Sequence, residues 1–413
     1  MGAMPNGRTP AQERPPILRP WHFVLAFGIV SLLADMVYEG ARSIIGPYLG
    51  TLGASAAVVG LVAGAGEFIG YGLRVVSGYA VRQTAHYWAW TITGYALTVL
   101  SVPFIGATGA IAPALLLYGT ERLGKAVRSP AKDTLLSHAS TSTGRGSAFG
   151  VHQALDQTGA MLGPLLLAAV LAWREGDYRL AFGVLAVPGV LVLALLFWLR
   201  SRVPDPAAYE HGTEGAEQQE PRTTAEPTPR ASLPARFWQY TAAVGVLSFG
   251  VAPFPLMAFH AQTTGLLSDA LVPVVFAVAM AVDGLSGLIV GRIYDRRGPH
   301  VLLAVPVAAA VAAIAFGNTA ALVWAGAAVW GVVNGVLDST VKAVITELVP
   351  SGSRAVAFGW LALVRGLGLL VAGGILGAAY GIQPGATVVV IIVANAVAFA
   401  GLAWVLRRMR RRE

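Results

Sequence analysis

Apolar residues gather along this chain in long stretches separated by short polar segments. A helix needs roughly 20 mostly apolar residues to cross a hydrocarbon core, and twelve stretches come near or exceed that length. The first six span 21–49, 56–80, 87–106, 110–136, 147–173 and 178–199; the second six span 238–260, 270–293, 301–317, 320–349, 355–380 and 386–406. No soluble fold buries twelve such segments, so the pattern predicts an all-α integral membrane protein of 12 transmembrane helices.

Composition agrees with this. Of the 413 residues 55% are hydrophobic and 12% charged, the latter about half the usual share of a globular domain. The net charge of +8 would suggest nucleic acid in a soluble protein. Here the cations alternate with the spans instead. One set of segments carries Arg8, Arg14, Arg19, Arg82, Lys132, Arg145, Arg202, Arg222, Arg230 and Arg236, then Arg292, Arg296, Arg297, Arg354 and the run 407–412. The other set offers little beyond Arg174 and Arg179. That asymmetry places both termini in the cytoplasm and makes the lipid bilayer, not nucleic acid, the expected partner.

The chain divides accordingly into a cytoplasmic tail (1–20), a first six-helix bundle (21–200), a linker (201–235), a second six-helix bundle (236–406) and a basic tail (407–413). The linker is rich in Glu, Pro, Thr and Gly and cannot bury enough apolar surface to fold, so it reads as a tether. Residues 1–20 hold no apolar run with a small-residue cleavage site, so no removable signal peptide is expected. No cysteine is present, which excludes disulfides and thiolate metal sites.

The two halves repeat one another. Arg145, Ala148, Phe149, Gly150 and Gly159 recur at Arg354, Ala357, Phe358, Gly359 and Gly368. A second correspondence sets Gly78 and Arg82 against Gly291 and Asp295. Parallel repeats related by an axis along the membrane normal place a site at their interface, with access alternating as one half rocks over the other.

With these residues the chain resembles the major facilitator superfamily. The segment Gly291-x-x-x-Asp295-Arg296-x-Gly298 matches that family's loop pattern, while the first-half copy keeps Gly78 but has Arg82 and Ala85 where the family has Asp and Gly. In the fifth span Gly150, Gly159, Gly163 and Pro164 resemble the motif of the drug and metabolite antiporter branch, with Leu167 and Ala168 in place of its closing Gly pair. Gly159 and Gly163, one turn apart, permit close approach of a neighbouring backbone, and Pro164 permits a bend. In the family the first-half loop aspartate helps hold the cytoplasmic side shut. Arg82 reverses that charge, which implies a resting state that favours facing inward.

Ionisable side chains inside spans cost about 3 kcal/mol each on insertion scales, so each marks a candidate function. Asp35, Glu39 and Arg42 fall on one face of the first span. Glu67 and Arg74 lie in the second, Glu121, Arg122 and Lys125 in the fourth, His152 and Asp156 in the fifth, Asp283 in the eighth, Asp338 in the tenth and Arg365 in the eleventh. A proton-coupled carrier needs a carboxylate that exchanges a proton at working pH. Asp35 and Glu39 are the foremost candidates, as neighbours able to hold one proton between them; Asp156 and Glu67 stand behind them. Asp156 and Arg365 occupy equivalent repeat positions and are expected to pair across the cavity in one state. The remaining charges, Arg42, Arg74, Glu121, Arg122, His152, Asp283, Asp338 and Arg365, are expected to line a substrate cavity. Arg128 and Lys132 read as snorkelling to the cytoplasmic headgroups.

His152 and Asp156 alone make no metal site, and no cofactor is expected. Gly119 to Lys125 mimics a phosphate loop but has Ala126 where Ser or Thr is required, and no hydrolase nucleophile motif occurs, so no enzyme is expected. The reading is a monomeric secondary transporter of the bacterial inner membrane, exporting a small, partly apolar compound against protons. Proton-coupled uptake of an organic anion, export of a divalent cation through Asp35, Glu39 and Asp156, and lipid flipping are the alternatives.

Overall fold

The computed structural model describes residues 18–140, 143, 145–206, 209, 233–350 and 353–410. The N-terminal tail through residue 17, Gly144, most of the linker with Arg222 and Arg230, and the tail beyond 410 lie outside the described residues. Among those described there is no strand.

The first half holds α1 (Pro20–Thr51), α2 (Ala56–Gly72), α3 (Arg74–Thr84), α4 (Tyr87–Ile105), α5 (Ile111–Ser140), α6 (Arg145–Trp173), α7 (Tyr178–Val184) and α8 (Ala186–Arg202). The second half holds α9 (Ala235–Phe249), α10 (Phe254–Thr263), α11 (Leu271–Arg297), α12 (Ala304–Ala312), α13 (Ala320–Leu348), α14 (Arg354–Ile382) and α15 (Pro384–Arg410). Local chemistry sets several of these boundaries. Pro20 opens α1 where a missing donor costs nothing. Ser55, Asp177 and Thr319 cap α2, α7 and α13 by accepting from Val58, Leu180 and Leu322 N–H. Gly298, at φ +67°, ends α11 in a conformation that favours glycine.

Ten helical runs among the described residues are long and apolar enough to cross a membrane. Two differences separate this from the expected spans. The α5 run is interrupted by Glu121, Arg122, Lys125 and Arg128, and residues 271–316 form one continuous helical run through two 3-10 turns, Gly298–Leu303 and Ala313–Phe316. The linker also begins differently from an unattached tether. Trp88 Nε1 donates to the Val203 carbonyl at 3.0 Å, and the Tyr209 hydroxyl donates to the Leu18 carbonyl at 2.9 Å. Both Val203 and Tyr209 are buried, because their apolar groups cover Phe23 and the start of α4.

Within the halves α1 packs on α6, α4 on α5, α9 on α14 and α11 on α13; across them α2 packs on α14, α6 on α11 and α1 on α10. Small residues set these distances. A Cβ at Gly159 or Gly163 would collide with the Leu32 or Met36 carbonyl of α1. Across the halves Gly60 meets Gly373, and a Cβ at Gly64 or Gly377 would stand 2.5 Å from the Leu369 or Ala56 carbonyl oxygen. Lipid tails are as apolar as leucine, so such close packing, not a hydrophobic force, holds the helices together.

Candidate functional site

The two ends of the bundle differ. At the end away from the arginine-rich loops the halves meet closely: Gly46 abuts Pro255, Gly50 faces the Phe259 ring, and the Tyr178 hydroxyl donates to Asp269 Oδ1 at 2.8 Å. At the arginine-rich end Gly150 and Gly291 have open space around them, and the Asp338 side chain is 55% exposed. Gly78 stands beside Pro130 and Arg82 is exposed, as are Asp295 and Arg296. Ala85 holds the left-handed helical conformation at φ +52°, and Gly298 at the equivalent position also has a positive φ, +67°, with an extended ψ.

Between the closed end and the open one lies a small cavity, lined by residues of both halves that include Arg42, Glu67, Tyr118, Trp330 and Asn334. Its walls are otherwise mostly small and apolar. The charges beside it form a connected frame. Arg42 reaches Glu67 at 3.0 Å and Glu39 at 3.5 Å; Arg122 reaches the same Glu67 oxygen at 3.5 Å; Lys125 stands 3.9 Å from Glu39. Arg122 Nε lies 2.6 Å from Glu121 Oε2, both side chains being 1% exposed. That contact is ionic without hydrogen-bond alignment, since neither atom has a hydrogen-bond partner. Tyrosines supply the remaining walls. Arg122 lies 5.1 Å from the Tyr118 ring and Lys125 4.1 Å from the Tyr38 ring.

Arg128 does not snorkel. It is 4% exposed, stacked 4.3 Å from Tyr95 and 5.2 Å from Tyr38, and donates to Thr98 Oγ1 at 3.1 Å. Lys132 turns inward as well and stands 3.9 Å from Asp156 Oδ2. The reason is that α5 continues to Ser140, past the expected end at 136, and packs these residues against α1, α4 and α6 instead of leaving them at an interface.

Asp156 therefore has its cation in its own half, together with His152 Nδ1 at 3.4 Å. His152 Nε2 in turn meets Ser31 Oγ at 2.9 Å, and Ser31 lies 3.3 Å from the Tyr95 hydroxyl. Arg365 likewise pairs at home, donating to Asp338 Oδ1 at 3.0 Å. The expected contact between Asp156 and Arg365 is absent from this arrangement because α6 packs on α1 and α11 while α14 packs on α2 and α9. What Arg365 touches across the halves is the ring of Tyr71, at 5.3 Å, with Arg74 5.2 Å from the same ring.

Two in-span carboxylates that are at least partly buried have no ion pair among the described residues: Asp35, 8% exposed on α1, and Asp283 on α11; Asp133 on α5 is exposed. The sequence did not single out Trp330, Asn334, Tyr118, Tyr38 or Tyr71. Tyr38, Tyr71 and Tyr118 each sit three or four residues from a singled-out charge, the spacing that puts neighbours on one helical face.

An all-helical chain with a cavity enclosed between two sets of helices, closed at one end and open at the other, has the architecture of a secondary transporter. The sequence profile of the Major Facilitator Superfamily matches residues 27–373, and the chain belongs to that family. An uncharacterized protein of Mycobacterium tuberculosis is 47% identical over 382 residues, 91% of each chain. An uncharacterized MFS-type transporter of Methanocaldococcus jannaschii is 27% identical over 184 residues, 45% of this chain and 46% of that one. Among solved structures, the fold is similar to a POT family transporter in complex with a thioalcohol-conjugated peptide (TM-score 0.73, 12% identity, 94% of this chain and 96% of that). It is also similar to the nucleoside transporter NupG (0.71, 11%, 93% and 99%) and to a bacterial homolog of human Spinster in an inward-facing conformation (0.64, 15%, 94% and 95%). At these identities the structures speak for the fold alone.

Proposed function

We propose that this protein is a proton-coupled exporter of a small, partly apolar solute, working by alternating access in a bacterial inner membrane as a monomer. In this reading α5 is a span despite its charges and the run 271–316 contains two spans, which gives twelve helices in two six-helix bundles, 21–200 and 236–406. The arginine-rich end is then cytoplasmic, with both termini inside, and the arrangement described above faces inward.

The observation that carries proton coupling is Asp35. It is buried in the membrane without a cation at bonding distance, whereas Glu39 and Glu67 are held by Arg42, Arg122 and Lys125. A buried carboxylate with no fixed partner is the group free to exchange its charge with a proton as the protein changes state. The largely apolar cavity wall, with Arg42 and Glu67 neutralising one another, suits a solute that is itself partly apolar. Close packing of α6 on α1 at Gly159 and Gly163 supports the antiporter-like reading of that helix.

The test is transport by purified protein in liposomes under imposed pH gradients, scanned over a solute panel. Solute is expected to move opposite to the proton gradient with the wild type, and the gradient dependence to vanish in Asp35→Asn while downhill exchange survives. Transport driven equally well by pH in Asp35→Asn would refute the assignment, and solute movement in the same direction as protons would replace export by uptake.

A further inference from the structure

Sequence spacing pairs Asp35 with Glu39, four residues along α1, but the packing gives Asp35 a different neighbour. Glu39 is engaged by Arg42 and Lys125. Asp35 lies against α6, where a Cβ at Gly159 would stand 3.0 Å from the Asp35 Cβ. Asp156 precedes Gly159 by three residues and so lies on the same face of α6.

The hydrogen bonding of Asp156 is incomplete on the side that does not face Lys132 and His152. Asp156 Oδ2 faces both His152 and Lys132, yet its Oδ1 is buried with no donor. Asp35, 8% exposed, has no ion pair and no side-chain hydrogen bond among the described residues. The other charged and titratable groups around the seam already have partners: Lys125 with Glu39 and Tyr38, Arg128 with Thr98 and the rings of Tyr38 and Tyr95, and His152 with Ser31. Asp133, next to Lys132 on α5, is exposed. Buried polar atoms left without partners are costly and rare. One proton held between the two carboxyls would supply the donor that buried Asp156 Oδ1 lacks and give Asp35 a partner.

We infer that Asp35 and Asp156 form a single proton-binding site across the α1–α6 seam, sharing one proton, with Lys132 and His152 holding the outer oxygen of Asp156. The inference rests on the coupling role proposed for Asp35 and moves its partner from Glu39 to Asp156. None of Asp35, Asp156, Lys132 and His152 lines the substrate cavity, and Asp35 is seven residues from Arg42, about 10 Å along the helix. This reading sets the proton apart from the cavity at Arg42 and Glu67. Protonation acts on the solute through the packing of α1 on α6 and not by competition for one group.

Infrared difference spectroscopy between acid and alkaline buffers tests this on purified full-length protein with no solute added, through the carboxylic C=O stretch. The same single component is expected to disappear in Asp35→Asn and in Asp156→Asn, with no further loss in the double variant, and to remain in Glu39→Gln. Asp156→Glu, which keeps a carboxyl on a longer stem, is expected to retain a component at a shifted frequency, which guards against loss through misfolding. The inference is overturned if the component survives in Asp156→Asn, if it is lost in Glu39→Gln, if the two asparagine variants remove different components that add in the double, or if neither removes any. Should the component behave as expected while liposome transport ignores the pH gradient, the shared site stands and the exporter reading falls.

Discussion

Gly377 offers a direct way to unbalance the two ends of the bundle. It lies on α14 where that helix crosses α2, and a Cβ there would stand 2.5 Å from the Ala56 carbonyl oxygen and 2.9 Å from the Ala57 Cα. Ordinary contact begins at 3.4 Å, so Gly377→Ala requires roughly 0.9 Å of separation. The opposing atoms are backbone, and no flexible side chain can yield in their place. Overpacking of this kind costs about 1–3 kcal/mol, and it is paid only in the state where the two helices touch at this end. In a two-state equilibrium that is a shift of roughly 5- to 150-fold toward the state open there. Because the chain has no cysteine, spin labels can be placed cleanly at Thr51 and Ile382, both exposed at this end. Distance distributions are expected to gain a longer component in Gly377→Ala. Gly381→Ala, with nothing within 4 Å of its added Cβ, is the control and should leave the distribution as in the wild type. An unchanged distribution in a folded Gly377→Ala protein would refute the idea that this glycine seam holds the end shut.

Three further outcomes are expected. Ala85→Gly should stabilise the protein by about 1 kcal/mol, because Ala85 holds a left-handed conformation at φ +52° that costs a non-glycine residue roughly 1–2 kcal/mol, less the added chain entropy of glycine; a lower midpoint in detergent thermal unfolding would contradict this. Tyr178→Phe removes the hydrogen bond to Asp269 across the halves but keeps the ring packed 5.7 Å from Tyr48. A loss of about 1 kcal/mol should shift the Thr51–Ile382 distances toward opening, and a distribution identical to wild type would show that the bond adds nothing. Arg82→Asp, restoring the negative charge at the arginine-rich end, should shorten the distances between labels at Gln83 and Arg297 by favouring closure of that end, worth about 1 kcal/mol; distances that are already short and do not change would reject it.

The membrane architecture was legible because its signal is coarse. A run of about 20 apolar residues has few meanings, and the repeat of Arg145, Ala148, Phe149 and Gly150 at Arg354, Ala357, Phe358 and Gly359 ties the halves together. Side-chain partners were legible only within a helix. The spacing of Glu39 and Arg42 predicted their contact, but the shorter contact of Arg42 with Glu67 depends on how α1 meets α2 near the cavity. Repeat symmetry put Asp156 and Arg365 together in one state; in the arrangement seen they are apart, because α6 and α14 pack against different neighbours. Arg128 and Lys132 misled because proximity to a predicted span end resembles an interface. The tyrosines on α1 and α4 that enclose Arg128 cannot be assigned to it from sequence distance. Trp330 and Asn334 carry no charge, so no insertion cost marks them in the sequence.

The placement of cations also separates the groups that can change state from those that cannot. If Glu67 were the coupling group, each cycle would have to neutralise a carboxylate that holds Arg42 at 3.0 Å and Arg122 at 3.5 Å, leaving a half-buried and a buried guanidinium with one partner fewer. Removing one member of a buried ion pair is costly because the charge left behind is uncompensated. Glu39 faces the same objection through Arg42 and Lys125. Asp35 does not, since no cation depends on it at bonding distance. On the proposed coupling, the frame of Arg42, Glu67, Glu121 and Arg122 can remain intact as the halves rock, keeping the cavity wall close to neutral, while the proton is exchanged two helical turns away, where α1 meets α6.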